Sequence, residues 1–191
     1  MPSEKDQPFI IRRLGNADST AVAALVLPIQ QLEFGVAITL EAQPDILDID
    51  KSFGRDRSGL WGAFIDEQLV GTIGLLDIGS AHGVGSAQGA GSAHGMGSAQ
   101  GARSAHGVIR KMFVHAGYRG KQWGIAQHLM DIVVGHCRDA GIKDLWLGTI
   151  HTMGAAARFY ERNGFVKITR AGLPAHFPLM AVDDTFYHLV V

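Results

Sequence analysis

The chain has 191 residues, 17 Lys and Arg against 18 Asp and Glu, and a formal net charge of −1. That length suits one domain, spanning residues 1–191, in which about two thirds of the unfolded surface can be buried. A near-neutral charge argues against a general binder of nucleic acid or of membrane surfaces. The single cysteine, Cys137, reads as a small core residue in a reducing compartment. The polar start Met-Pro-Ser-Glu-Lys-Asp-Gln has no apolar h-region, and no apolar run approaches the length of a membrane span, so a soluble cytoplasmic protein is expected.

In chain order, residues 9–14 predict a first strand, closed by Gly15-Asn16. Asp18 or Ser19 then caps a helix through residues 21–27, which Pro28 limits or bends. A further helical piece is expected around residues 40–49, interrupted by Pro44, with Asp45 able to start a fresh turn. Between them Glu33 reads first as part of a solvated helix end. Residues 60–65 and 69–76 are two apolar β runs joined by Asp-Glu-Gln, a hairpin pattern in which Trp61 packs in the sheet and Asp77 terminates the second run.

From residue 79 to residue 107 the chain repeats Gly-Ser-Ala-His-Gly-Val and Gly-Ser-Ala-Gln-Gly-Ala, a six-residue unit paired into a twelve-residue one. So little apolar side chain cannot offset ordering entropy, and a flexible insertion at a hairpin tip is expected. Silk-like stacking between copies and weak metal capture by His82, His94 and His106 are the sharper readings; without a short-range ligand pair, no specific metal site is expected. Residues 108–114 resume the sheet antiparallel to residues 69–77.

The stretch Arg119-Gly-Lys-Gln-Trp-Gly-Ile-Ala126 follows this strand and opens a helix whose apolar residues Ile125, Leu129, Ile132, Val133 and Cys137 recur at helical spacing. Gly120, Gly124 and Ala126 let a ligand approach the backbone, the first helical N–H groups lack partners, and Arg119 and Lys121 add charge, so the turn suits a phosphate or pyrophosphate. It is neither a nucleotide P-loop nor G-x-G-x-x-G. The helix ends at Gly141, and residues 144–149 form the next strand, parallel to the previous one because a helical crossover joins them. A short helix over 155–162 stops at Asn163-Gly164, and strands at 165–168 and 185–191 close the chain around a proline-marked excursion at 173–180.

Three blocks together resemble the GNAT superfamily of N-acetyltransferases. Lys121-x-x-Gly124-x-Ala126 is similar to its acetyl-CoA pyrophosphate signature, with Arg110-Lys-Met-Phe-Val114 upstream and Ala157-Arg-Phe-Tyr-Glu-Arg-Asn-Gly-Phe165 downstream. The likeness covers residues 9 to 191 apart from the insertion; Lys121 replaces the usual Gln or Arg, and Met153 stands where many members carry an Asn. It implies an α/β fold with a mixed, mostly antiparallel sheet of about six to seven strands and about four helices. It implies acetyl-CoA as cosubstrate, held by Met112, Phe113 and Val114 along the pantetheine arm and by Arg119, Gly120, Lys121, Gln122, Trp123, Gly124, Ile125 and Ala126 at the pyrophosphate. Tyr160 aligns with the tyrosine that protonates the departing sulfur, and the reaction implied is direct attack by a primary amine in a ternary complex.

For the acceptor, the resemblance brings forward Glu33, Asp77 and Phe177, with Met180 beside the last; the base is open among Glu33, Asp77, His115 and water. The relatives commonly form homodimers. Two other functions fit the same residues: an acyl-CoA sensor without turnover, which Lys121 and Met153 leave room for, and an assembly protein acting through the repeat.

Overall fold

The computed structural model describes residues 8–55, 57–79 and 106–191. The readings of the repeat between residues 80 and 105 fall outside the described residues. In chain order the elements are β1 (Ile10–Arg13), α1 (Ser19–Pro28), α2 (Pro44–Leu47), α3 (Ile49–Phe53), β2 (Gly59–Ile65), β3 (Gln68–Asp77), β4 (His106–Val114), α4 (Ile125–Ala140), β5 (Asp144–Thr149), α5 (Gly154–Arg162), β6 (Val166–Ile168) and β7 (Thr185–Val190). The strands form one seven-stranded sheet in the order β1-β2-β3-β4-β5-β7-β6. All neighbours are antiparallel except β4 and β5, the pair joined by the α4 crossover. This is the mixed, mostly antiparallel α/β architecture expected.

The central strands read as continuous apolar runs because both of their faces are covered. On one side Trp61, Ala63, Val70, Ile73 and Leu75 meet Ile125, Leu129, Met130, Val133 and Cys137 of α4. On the other, Leu60, Phe64 and Leu69 meet Val22, Leu25 and Val26 of α1 and Ile46, Ile49 and Phe53 of α2 and α3. The β2–β3 hairpin turns at Asp66 and Glu67, both at positive φ, which matches the right-handed twist of the strands.

Local chemistry explains where elements start, stop and break. Pro28 is the last residue of α1, and the chain continues in one wide turn over Ile29–Glu33, closed by the Phe34 N–H on the Ile29 carbonyl at 3.2 Å. Asp18 precedes α1 but does not cap it through its side chain. Its carboxylate accepts from the Gly15 N–H and pairs with Arg12 instead. The single piece expected near residues 40–49 is two one-turn helices: Pro44 starts α2, and Asp48 accepts from the Lys51 N–H at 3.1 Å to open α3. At the far end of α4, Gly141 adopts φ 70°, and the Ile142 N–H reaches back to the Cys137 carbonyl at 2.8 Å. Among the described residues, no helix is long and apolar enough to cross a membrane.

Candidate active site

β4 and β5 pair only through His106–Asp144, Gly107–Leu145 and Val108–Trp146. β4 keeps β3 on its other side as far as Val114, and β5 keeps β7 as far as Thr149, so beyond Val108 the sheet opens between them. The two facing edges there carry backbone groups with no partner strand, which an extended ligand with its own amides can satisfy. The opening forms a cleft of about 120 Å³ floored by Met112 and Phe113 from β4 and by Gly148 and Thr149 from β5. Tyr160 and Met153 border it from α5, and Phe177, Met180 and Asp183 from the segment before β7.

A bulge aims β4 into this cleft. Thr72 pairs with Phe113 and Gly74 with Arg110, so Ile73 opposes both Lys111 and Met112. Lys111 takes φ 50°, a left-handed conformation costing about 1 kcal/mol for a residue with a side chain. Its carbonyl, turned out of the ladder, accepts from the buried Thr72 hydroxyl at 2.8 Å. Its ammonium is buried and held by Gln43 Oε1 at 2.6 Å and Asp45 at 3.2 Å. Burial pulls that ammonium below its ordinary pKa, and Asp45 opposes the shift. Two segments distant in sequence, β3 and the start of α2, thus hold the bulge.

The turn after β4 reaches α4 through two left-handed glycines, Gly120 at φ 102° and Gly124 at φ 66°. Gly124 precedes the first helical residue, and among the described residues no acceptor takes the N–H of Ile125, Ala126 or Gln127. These donors, at the positive end of a 16-residue helix, make a seat for an anion. Lys121 stands exposed beside them and makes no ion pair among the described residues. Gln122 bonds back to the Arg119 carbonyl at 3.1 Å, Trp123 packs edge-on to Tyr118, and the Ile125 side chain is core.

Tyr160 is 6% exposed, its ring set against Phe159, Phe165 and Tyr187. Its hydroxyl makes no hydrogen bond among the described residues, yet it is not a sealed, unsatisfied group. It opens into the cleft. Burial pushes its pKa above the usual phenol value, so it stays protonated at any working pH. Asp183 lines the cleft with Tyr160, Arg110 and Lys111, and burial raises its pKa while the Met180 N–H and Arg110 oppose the rise.

The structure thus brings Met112, Phe113, Tyr160, Phe177 and Met180 to one cleft, with Val114 and the 119–126 turn following from the same strand. Glu33, Asp77 and His115 do not line it. Glu33 grips Arg119 in a two-pronged ion pair, at 2.8 and 3.0 Å, while Arg119 Nε donates to the Val114 carbonyl. Asp77 is fully buried at the opposite end of β3, with both oxygens on Arg57 at 2.7 and 3.0 Å. His115 Nδ1 accepts from the Gly117 N–H. Cys137 is core, its thiol pushed up to about 12 by burial. Among the described residues, no group of three or more His, Cys, Asp or Glu could hold a metal ion.

Sequence reasoning missed Lys111 and Asp183. Lys111 left a faint signal, a charge inside the apolar run Val108-Ile-Arg-Lys-Met-Phe-Val114; Asp183 left none, since an aspartate in a polar loop reads as surface.

A sheet parted between two parallel strands, with a turn of free helical N–H groups leading from one and a buried phenol beside the other, leaves an opening shaped for an extended ligand. Residues 25–165, well over half of the chain, match the Acetyltransferase (GNAT) family, and the protein belongs to that family of acyltransferases. Among solved structures, a GNAT-family acetyltransferase from Staphylococcus aureus Mu50 is similar at 28% identity and a TM-score of 0.77, over 94% of this chain and 97% of that one. An acetyltransferase from Streptococcus agalactiae 2603 shares the fold at 22% identity and a TM-score of 0.80, over 97% of this chain and 99% of that one. The PaiA N-acetyltransferase of Thermoplasma acidophilum, solved in complex with coenzyme A, shares it at 15% identity and a TM-score of 0.65, over 96% and 99% of the two chains. No curated protein matches the sequence.

Proposed function

We propose that the protein is an N-acetyltransferase that moves the acetyl group of acetyl-CoA to a primary amine by direct attack in a ternary complex. The observation that carries this reading is the Tyr160 hydroxyl, open to the cleft without a protein partner while its ring is clamped on three sides. The family match and the coenzyme A in the Thermoplasma relative support the choice of donor.

In this reading the free N–H groups at the start of α4, with Lys121 and the 119–126 turn, take the pyrophosphate. Met112, Phe113 and Val114 run beside the pantetheine arm, whose amides complete the unpaired edge of β4. A β4 N–H near the bulge stabilises the oxyanion as the amine adds to the thioester carbonyl, a contribution of about 3 kcal/mol per donor in acyl transfer. The C–S bond then breaks, and Tyr160 gives its proton to the sulfur. A thiol of pKa about 8.5 leaves a modest proton demand, which a neutral phenol meets without itself ionising at rest.

Calorimetry against acetyl-CoA and S-acetylpantetheine tests the binding half, and thiol release with a panel comprising a polyamine, free amino acids, an aminoglycoside and a short peptide tests the transfer half. The expected result is saturable 1:1 binding that weakens greatly without the phosphates, and thiol release that depends on an amine. Failure to bind acetyl-CoA refutes the reading outright; binding without transfer to any amine favours a sensor.

A further inference from the structure

We infer that Asp183 is the acceptor-side catalytic group: its carboxylate receives the amine as an ammonium ion and takes the nitrogen's proton as the N–C bond forms. The inference rests on the transfer reading above and supplies the base it lacks.

The geometry begins with backbone. The Asp184 N–H donates to the Thr149 carbonyl at 3.0 Å, so the segment before β7 is tied to the last residue of β5. The Asp183 N–H donates to the Met180 carbonyl at 3.1 Å, and the Met180 N–H returns a bond to Asp183 Oδ2 at 3.1 Å. This small closed turn fixes the carboxylate over β5. It lies so close that a Cβ at Gly148 would come within 2.5 Å of Oδ2 and 2.7 Å of the carboxyl carbon. Only glycine at that position of β5 leaves the carboxylate room.

The electrostatics are unusual for a half-buried carboxylate. Among the described residues Asp183 forms no ion pair within 4.0 Å, and its Oδ1 accepts no hydrogen bond. The nearest cation, Arg110, spends its donors on the Pro178 carbonyl at 3.2 Å and the Met180 sulfur at 2.9 Å, and its closest carboxylate is Asp45 at 3.9 Å. Two other inward carboxylates have their cations: Asp77 has Arg57, and Asp45 has Lys111. A half-buried charge left unpaired loses part of its hydration without compensation until a ligand completes it. The ligand that completes this one is cationic, and the opening it faces is shared with Tyr160.

The steps balance. An alkylammonium, with a pKa of about 10, docks on Oδ1 and loses one proton to solvent through the carboxylate. The neutral amine adds to the thioester carbonyl, and as the N–C bond forms Asp183 takes the second proton. The C–S bond breaks with its electron pair on sulfur, which Tyr160 protonates; the proton on Asp183 then replaces the one Tyr160 gave. One proton is released per acetyl group, the stoichiometry of an ammonium becoming an amide.

The test sets a cationic nucleophile against a neutral one. For Asp183→Asn, kcat/KM toward the best alkylamine of the panel falls at least about 100-fold; toward hydroxylamine, which is uncharged at pH 7 and needs the proton acceptor but not the ammonium site, it falls by at least about tenfold less. Acetyl-CoA affinity by calorimetry stays unchanged. Equal loss with both nucleophiles, or loss with neither, overturns the inference and leaves the transfer reading standing. Wild-type protein that acetylates neither nucleophile overturns both together. Gly148→Ala, which displaces the carboxylate without removing it, shows the same split and decides the matter if Asp183→Asn does not fold.

Discussion

Replacing Tyr160 by Phe separates a proton donor from a packing residue. The ring contacts with Phe159, Phe165 and Tyr187 all survive the change, because Phe keeps the ring. The hydroxyl has no partner among the described residues, so no buried acceptor is orphaned, and the cost to stability is at most about 0.5 kcal/mol. Activity behaves differently. Loss of a positioned general acid lowers kcat by about 10²- to 10⁴-fold, and at about 1.36 kcal/mol per decade that is roughly 3 to 5 kcal/mol of transition-state stabilisation. The effect on turnover therefore exceeds the effect on folding several-fold. Three measurements on one preparation decide it: thermal melting, acetyl-CoA calorimetry, and thiol release at saturating acetyl-CoA and amine. Turnover within about threefold of wild type refutes the donor role; a stability loss beyond about 2 kcal/mol refutes the geometry, since it requires a hydroxyl partner the fold does not provide.

Further outcomes follow from the same structure. Because burial raises the Tyr160 pKa, its ionisation gives no alkaline fall in kcat below about pH 10; its contribution to stability is fully present below the unfolded value and is lost as pH rises through the folded one, which a urea titration at high pH would register. Lys121→Ala weakens acetyl-CoA by about tenfold, about 1.4 kcal/mol, and leaves S-acetylpantetheine unaffected in the same calorimeter. Gly124→Ala, at φ 66°, costs about 1 kcal/mol or more in thermal unfolding, a backbone penalty. Arg12 and the Gly15 N–H hold the Asp18 carboxyl below its usual range, so its contribution is present above about pH 4 and lost as pH falls through the lower folded value. Asp18→Asn therefore costs up to about 1 kcal/mol at pH 7, limited by the exposure of Arg12, and by chemical denaturation progressively less as pH falls below about 4. Finally, the Ile78 N–H donates to the His106 carbonyl at 3.0 Å, so the β3–β4 ladder already closes at these ends. Replacing residues 80–105 by a short turn leaves acetyl-CoA affinity unchanged, whereas an assembly role for the repeat predicts loss of self-association in sedimentation.

What the amino-acid sequence determined by itself is whatever depends on neighbours along the chain. The 3.6-residue apolar period of α4, the left-handed glycines at Gly124 and Gly141, the hairpin about residues 66–67 and the parallel β4–β5 crossover are all local or nearly local consequences of residue type. Even the break at Pro44 was legible, although its outcome, two one-turn helices, depended on Asp48 capping the second. Tertiary structure decided the rest, because the deciding contacts join residues remote in sequence. Glu33 meets Arg119 across 86 positions and so turns from the cleft to the turn. Asp77, a strand-end polar residue by sequence, is consumed by Arg57. Lys111 adopts a left-handed bulge because Thr72, Gln43 and Asp45 hold its carbonyl and ammonium. Asp183 gains its place only because a glycine in another element, Gly148, leaves it space. A residue's period reveals the face it occupies; the charge it meets there is set by chain segments that arrive only when the sheet is complete.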